Sequence, residues 1–441
     1  MNSPLATKSV VWLMLGMVAA ASMTFYVADI WSANQPPGFS DLYAPWWAAH
    51  ELLLHGRSPY SPAVAHEIQT VIYGAPSVPS ADDPDGLGGG FAYPPYAVLL
   101  LWPTVYLPFA AVQKIFLVAA LLGLLLCLAL SLRAMSLRLA PMQWLTIAIF
   151  FVGSFPALQA IKLQNLSVLA ALLVAATLFL VSRDQLVLGG IFLAASSFKP
   201  QFVVALIPWL LLWSLADWRR RRSLALSFLA TMLALVLVSR WLVPGWVSSF
   251  LHVVRAYRHY TYGHSLFDVW FTPSYGVVVS AIFLLGMLAL CWRNRFEAAG
   301  SRGFLLATSL ILAASVVVIP TLAPHAQLLL LPGFLWLLPG FSPWPASSSA
   351  RTRLAKRLGA AAWMLLAWPW IMASGLLLTA IQVPVARLIR FWQVPLYTSP
   401  LVPLAPSLAL AALLVGLPRE TRLGSSSRSL GSGRSATVPE G

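Results

Sequence analysis

The sequence predicts an all-α integral membrane protein of about twelve transmembrane helices, and three observations carry that expectation. Of 441 residues, 59% are hydrophobic and only 9% are charged, against roughly 25% charged in a soluble domain. Mean hydropathy is +0.79. The remaining charges are unevenly spread: short arginine runs separate long apolar stretches, the pattern that fixes orientation in a bilayer. The net charge of +15 therefore reads as topology rather than as a nucleic-acid footprint. Membrane lipids are expected partners and nucleic acid is not.

A span needs about 20 apolar residues, with a range near 17 to 25. The candidates are Val10–Ala28, Val112–Leu132, Met142–Ala160, Leu166–Val181, Leu186–Phe198, Phe202–Leu215, Leu224–Val243, Tyr275–Trp292, Phe304–Pro320, Ala326–Phe341, Leu358–Ile381 and Leu401–Leu417. The first has a long apolar core and a poor cleavage site at Asp29-Ile30-Trp31, so a retained span is expected rather than a signal peptide. Leu186–Phe198 and Phe202–Leu215 are short and flank Lys199-Pro200. They read as a tight pair of helices meeting at that break.

The segment Phe91–Ala110, with Pro94, Pro95, Pro103 and Pro108, decides the topology. If it does not cross, 19 of the 28 Lys and Arg residues fall on the cytoplasmic side, the Arg219–Arg222 run among them. That is the asymmetry the positive-inside rule asks for. Both termini are then cytoplasmic. Residues 1–417 form one membrane domain, with 29–111 as an outer loop carrying an amphipathic and a re-entrant helix. Residues 418–441, rich in Ser, Gly and Arg, form a disordered cytoplasmic tail. Cys127 and Cys291 lie in or beside apolar stretches, so cysteine provides neither a disulfide framework nor a zinc site.

This topology puts all seven histidines and eight of the thirteen acids on the outer side. A membrane enzyme with an outward site has that distribution; a proton-coupled carrier places acids at mid-span instead. The richest outer stretch is Phe39–Tyr60. Ser40 or Asp41 can cap a helix running to His55 and ending at Gly56. Tyr43, Trp46, Trp47, His50 and Leu54 recur at three- and four-residue spacing, the face of a helix lying at a membrane surface. Two roles fit Asp41. It is either a helix cap at the positive end of the dipole or a catalytic base.

Other candidates converge on the same side. Phe91-Ala-Tyr93-Pro-Pro-Tyr96 closes the first loop. Gln164-Asn165 opens a span, as a polar helix start or as a contact to sugar hydroxyls. Lys199 between two apolar runs costs roughly 2.5–3.5 kcal/mol at mid-bilayer; it either snorkels to the interface or meets an anion such as a lipid-linked phosphate. Arg255 and Arg258 fit a phosphate clamp or a solvated loop. His264 follows in the same loop, and His325 sits at the lip of a span. Tyr93, Gln164, Asn165, His264 and His325 are the substrate-binding candidates. Asp83-Pro84-Asp85 imitates a metal-binding DxD, but lies in a Gly-rich loop with proline between its acids. No metal or cofactor is expected.

Taken together, Asp41…Gly56-Arg-Ser-Pro-Tyr60, Phe91-Ala-Tyr-Pro-Pro, Gln164-Asn165 and Lys199-Pro200 resemble family 87 of the glycosyltransferases over about Val10 to Trp213. These are polytopic GT-C enzymes that include mycobacterial phosphatidylinositol-mannoside mannosyltransferases and an arabinofuranosyltransferase. The second half matches only in its pattern of spans. The resemblance implies a GT-C helical bundle and a polyprenyl-phosphate sugar donor, with mannose the favoured sugar. It also implies a lipid or glycan acceptor, inversion at the anomeric carbon, and an acid in the first outer loop as base, the place Asp41 occupies. Localisation follows as a bacterial cytoplasmic membrane with an outward active site. A ligase or polymerase of lipid-linked glycans also uses outer-loop arginines and histidines. A lipid or polysaccharide transporter would need polar residues through spans that are dominated by Leu, Ala and Val.

Overall fold

The apolar stretches fold into helices, and among the described residues there is no strand. The computed structural model describes residues 40–81, 83–260, 265–319, 323–338, 350–388, 391, 394 and 398–416. Val10–Ala28, the loop up to residue 39, His264 and the tail 418–441 lie outside the described residues. In chain order the main helices are α1 (Tyr43–His55), α2 (Pro62–Tyr73), α3 (Phe109–Ala134), α4 (Pro141–Val152), α5 (Phe155–Lys162), α6 (Ser167–Ser182), α7 (Leu186–Ser196), α8 (Leu206–Ala216), α9 (Trp218–Leu242), α10 (Trp246–Tyr260), α11 (Leu266–Trp270), α12 (Pro273–Trp292), α13 (Arg302–Val318), α14 (Leu331–Trp336), α15 (Ala350–Thr379) and α16 (Leu404–Gly416).

Among the described residues, five helical stretches are long and apolar enough to cross a membrane: α3, α9, α12, Arg353–Leu376 within α15, and Ser399–Gly416. At 1.5 Å per residue the 26 residues of α3 reach about 39 Å, more than a hydrocarbon core of about 30 Å. Two expected spans are broken. Met142–Ala160 is not one helix, because α4 and α5 meet at Gly153-Ser154 with a 56° bend. Ala326–Phe341 begins as a 3-10 segment, Pro324–Leu330, before α14. The Lys199-Pro200 break is present as expected: α7 ends at Ser196, and Lys199 precedes a single turn, Pro200–Val203. Pro200 disrupts the ladder by lacking an N–H. Phe91–Ala110 contains no helix longer than four residues before α3 begins at Phe109.

The loop region differs from expectation at α1. Tyr43 and Trp46 are buried, each with its ring 5.0 Å from that of Phe109. Trp46 Nε1 donates to Thr104 O at 3.2 Å. Tyr43 and Trp46 thus pack on protein, while Trp47 and His50 are half-buried and Leu54 is exposed. The one-sided helix here is α2, which buries Val64, Ala65, Ile68 and Gln69. Gln69 ties down the Gly-rich loop, donating to Gly86 O and Gly88 O at 2.7 and 2.6 Å. Asp83 is engaged in that loop too, accepting from the N–H groups of Leu87 and Gly88, so the DxD-like string serves loop geometry.

The bundle centres on α13, whose residues 303–317 are all buried; a helix apolar all round belongs inside. Ser301 starts it by accepting from Phe304 N. The basic run is more than a topology signal. Arg221 is buried, with Trp213 4.0 Å from its guanidinium carbon, and donates to the carbonyls of Trp213, Arg295, Phe296 and Glu297. Five fixed donors suit Arg to such a multiple-carbonyl clamp. Where α7 crosses α9, a Cβ on Gly190 would meet Ser227 Oγ, Leu224 O at 2.5 Å and Phe228 N at 2.8 Å. Small residues permit this kind of close helix approach in membranes. Gly190→Leu is expected to cost about 1–3 kcal/mol through overpacking, read as a lowered unfolding temperature of the detergent-purified protein. An unchanged temperature would mean that α7 and α9 do not pack this closely.

Candidate active site

The candidate site starts from the way α5 ends. Asn165 N donates to Ala160 O and Gln164 N to Ile161 O, the paired bonds of a Schellman motif. That motif needs its penultimate residue in the left-handed region, usually a glycine. Here it is Gln164, at φ 53°. A non-glycine held there costs on the order of 1–3 kcal/mol. The side chain offers a reason for tolerating this: buried Gln164 Oε1 accepts from Ser40 Oγ at 2.6 Å and from Gln113 Nε2 at 3.2 Å. The same turn leaves Leu163 O free to accept Asp41 N at 2.7 Å. The turn therefore fixes the backbone of Asp41 and aims Asn165 in one move.

Asp41 does not cap α1. Ser40 Oγ accepts from Leu42 N at 3.3 Å, Leu42 is the N-cap position, and no side chain bonds the first turn there. Asp41 Oδ2 instead accepts Asn165 Nδ2 at 2.7 Å. On the other side of that amide, Asn165 Oδ1 accepts Lys199 Nζ at 2.6 Å, Ser167 Oγ at 2.6 Å and Ser167 N at 2.9 Å. An ammonium has no acceptor, so the oxygen must face Lys199 and the NH₂ must face Asp41. One amide joins a carboxylate to an ammonium, less than about 8 Å apart by ordinary bond lengths.

Lys199 is buried, bonds Ser167 Oγ at 2.5 Å and lies 5.0 Å from the Phe202 ring. Among the described residues no carboxylate reaches it within ion-pair distance. Asp41 keeps part of its surface exposed to solvent while protein atoms crowd its carboxyl. Burial raises its carboxyl above the ordinary range, while the Asn165 bond and the Lys199 charge pull the other way.

Other predicted residues gather here unevenly. Tyr93 has a hydroxyl pKa pushed up by burial and by the nearby Tyr257 and Asp41; its carbonyl accepts Tyr60 OH at 2.6 Å. His325 falls within the field of Lys199, and its Nδ1 is buried with no hydrogen-bond partner among the described residues. Arg255 and Arg258 are exposed on α10, with no ion pair among the described residues and no contact to the Asn165 network. His264 lies outside the described residues. Sequence reasoning missed Gln113, Ser167 and Tyr257, and offered Ser40 only as a helix cap. A lone Gln at the mouth of an apolar span and a Ser two places after Asn165 were the available signals.

The sequence profile of glycosyltransferase family 87 matches residues 91–338. The chain belongs to glycosyltransferase family 87. It is a membrane glycosyltransferase. No curated protein matches the chain. The matched stretch differs from the expected one: it runs well past Trp213 through His325 to Leu338, and it begins at Phe91, beyond Asp41. Asp41 is therefore a candidate on geometry alone, through its bonds to Leu163 and Asn165 within the matched stretch.

An acid with a raised folded-state pKa binds its proton more tightly in the folded than in the unfolded chain. Stability then falls as pH rises through that interval, and at neutral pH the charge weakens the fold. Asp41→Asn removes the charge and keeps an acceptor for Asn165. Its unfolding temperature in detergent is expected at or above that of wild type. A drop of several degrees would assign Asp41 to holding the structure.

Proposed function

We propose that the protein is an inverting transferase that moves a sugar, with mannose the first to test, from a polyprenyl phosphate to a lipid-linked or glycan acceptor. It works on the outer face of a bacterial cytoplasmic membrane, from one membrane domain of about twelve spans over residues 1–417 followed by a cytoplasmic tail. The observation that carries this reading is the Asp41–Asn165–Lys199 bridge.

Asp41 takes the proton of the acceptor hydroxyl as its oxygen attacks the anomeric carbon. The bond from that carbon to the phosphate oxygen breaks, and the polyprenyl phosphate leaves with the electron pair. Lys199, a buried cation without a direct carboxylate partner, meets the charge that appears on the phosphate. Asn165 positions both groups and the N-terminus of α6 adds a favourable dipole for an anion. Tyr93, Gln164 and His325 line the sugar side. His264, Arg255 and Arg258 are the next candidates for the phosphate or acceptor by their charge and residue type.

A lipid-borne donor is supported by a cavity of about 640 Å³ lined by Ile147, Phe150, Gln327, Leu331, Phe334 and Trp363 among others. Gln327 lies two residues from His325 in the chain, the nearest point in sequence between this apolar cavity and the candidate residues. The bent α4–α5 junction contributes Ser154 to the same wall.

Washed membranes carrying the protein, given radiolabelled polyprenyl-phosphate mannose and a lipid extract, are expected to form a labelled glycolipid. Asp41→Asn should lower the rate by at least about 10²-fold with protein still in the membrane; full activity would remove the mechanism. The base must be ionised, so kcat/KM should fall about tenfold per pH unit on the acid side, with the midpoint above the ordinary carboxylate range. A midpoint at the usual aspartate value would place Asp41 outside the site.

A further inference from the structure

At the far end of α1 from Asp41, a second cluster of ionisable side chains has no part in the transfer. Glu51 is buried and takes His50 Nδ1 at 3.4 Å and His55 Nδ1 at 3.3 Å on the same oxygen, Oε1. Three ligand-type atoms, one from each residue, lie within 4.8 Å of one another. We propose that His50, Glu51 and His55 form a transition-metal site, suited to zinc, that clasps the C-terminal end of α1.

The spacing favours a metal over hydrogen bonds alone. Good N–H···O bonds run about 2.7–3.2 Å. Zinc–nitrogen and zinc–oxygen bonds of about 2.0–2.2 Å set tetrahedral ligand atoms about 3.3–3.5 Å apart; the two imidazole–carboxylate separations match this, and all three atoms lie within 4.8 Å, so the imidazoles need only small side-chain adjustments to share one ion. Two imidazoles and one carboxylate select zinc and similar ions over magnesium or calcium. The surroundings also suit a dication. Arg57 Nη1 holds the other oxygen of Glu51 at 2.8 Å, fixing the carboxylate, and Arg57 Nη2 pairs with Glu67 at 2.6 Å. With neutral imidazoles the group carries one net negative charge. The His55 side chain is 53% exposed, leaving a coordination position open to water. His50 stacks on Trp47 at 5.1 Å, which limits its rotation.

Helical register hides the site from a sequence scan. His50 and His55 are five apart, so their Cβ atoms point to different faces. Glu51 bridges them: His55 follows it at i,i+4 on one helix face, and His50 turns in from the preceding position, which leaves the two rings 5.2 Å apart.

The test uses full-length protein without a histidine tag, stripped with chelator, desalted, and titrated with zinc sulfate while bound metal is counted by mass spectrometry. One zinc per chain is expected, with a zinc-dependent rise in unfolding temperature. His55→Ala, at an exposed position that folding tolerates, and His50→Ala should each weaken binding at least about tenfold and lose that rise. Magnesium should not substitute. Zinc binding that is absent from wild type, or equal in wild type and both variants, would overturn the proposal and leave a histidine–glutamate ion pair.

Discussion

The amide of Asn165 is the constraint on which the candidate site depends. Among the described residues it is the group that bonds both the Asp41 carboxylate and the Lys199 ammonium, and its orientation is forced because an ammonium can only donate. That geometry in turn rests on a turn that ends α5 with a left-handed Gln164. A glycine would relieve the backbone there, but it would remove the acceptor that Ser40 and Gln113 share. Strain and side-chain bonding are thus exchanged within one residue. The positions it couples are 124 residues apart in the chain for Ser40 and 51 for Gln113.

Much of this was legible in the sequence, and the reasons are specific. Asp41, Asn165, Lys199 and His325 stand out because polar residues at the edges of apolar runs are costly and therefore few. What the pattern does not encode is which of them meet. Gln164-Asn165 reads as a polar helix start, and Asn165 Oδ1 does accept Ser167 N at the head of α6; what the pattern hides is the turn before it, where Leu163 O and Asn165 Nδ2 grip Asp41. The cap reading of Asp41 was reasonable from propensity and lost to tertiary bonding. The aromatic spacing of α1 was visible, but periodicity cannot tell a lipid neighbour from Phe109. Arg221 shows the same limit: within a basic run it reads as an orientation signal, and only the fold reveals four carbonyls around it.

The helix breaks have a common location. Lys199-Pro200 borders the Asn165 network, Pro324 precedes His325, and Ser154 at the α4–α5 bend lines the apolar cavity with Gln327. Irregular backbone at membrane depth is tolerated where protein or a cavity satisfies it. Each break here has such company. The prolines are therefore informative by position: they mark where a span gives up its ladder to present a side chain.

The family match and the geometry divide the site between them. Residues 91–338 carry Tyr93, Asn165, Lys199 and His325, while Asp41 precedes that stretch. Yet Asp41 is held by two residues inside it: its N–H by Leu163 O and its carboxylate by Asn165 Nδ2. A loop residue anchored at both backbone and side chain by the matched bundle has little freedom to be elsewhere, since moving it would orphan a buried amide at a cost of about 1–3 kcal/mol. The matched half thus specifies the position of an acid it does not contain. That dependence is what ties the carboxylate and the ammonium into one candidate site.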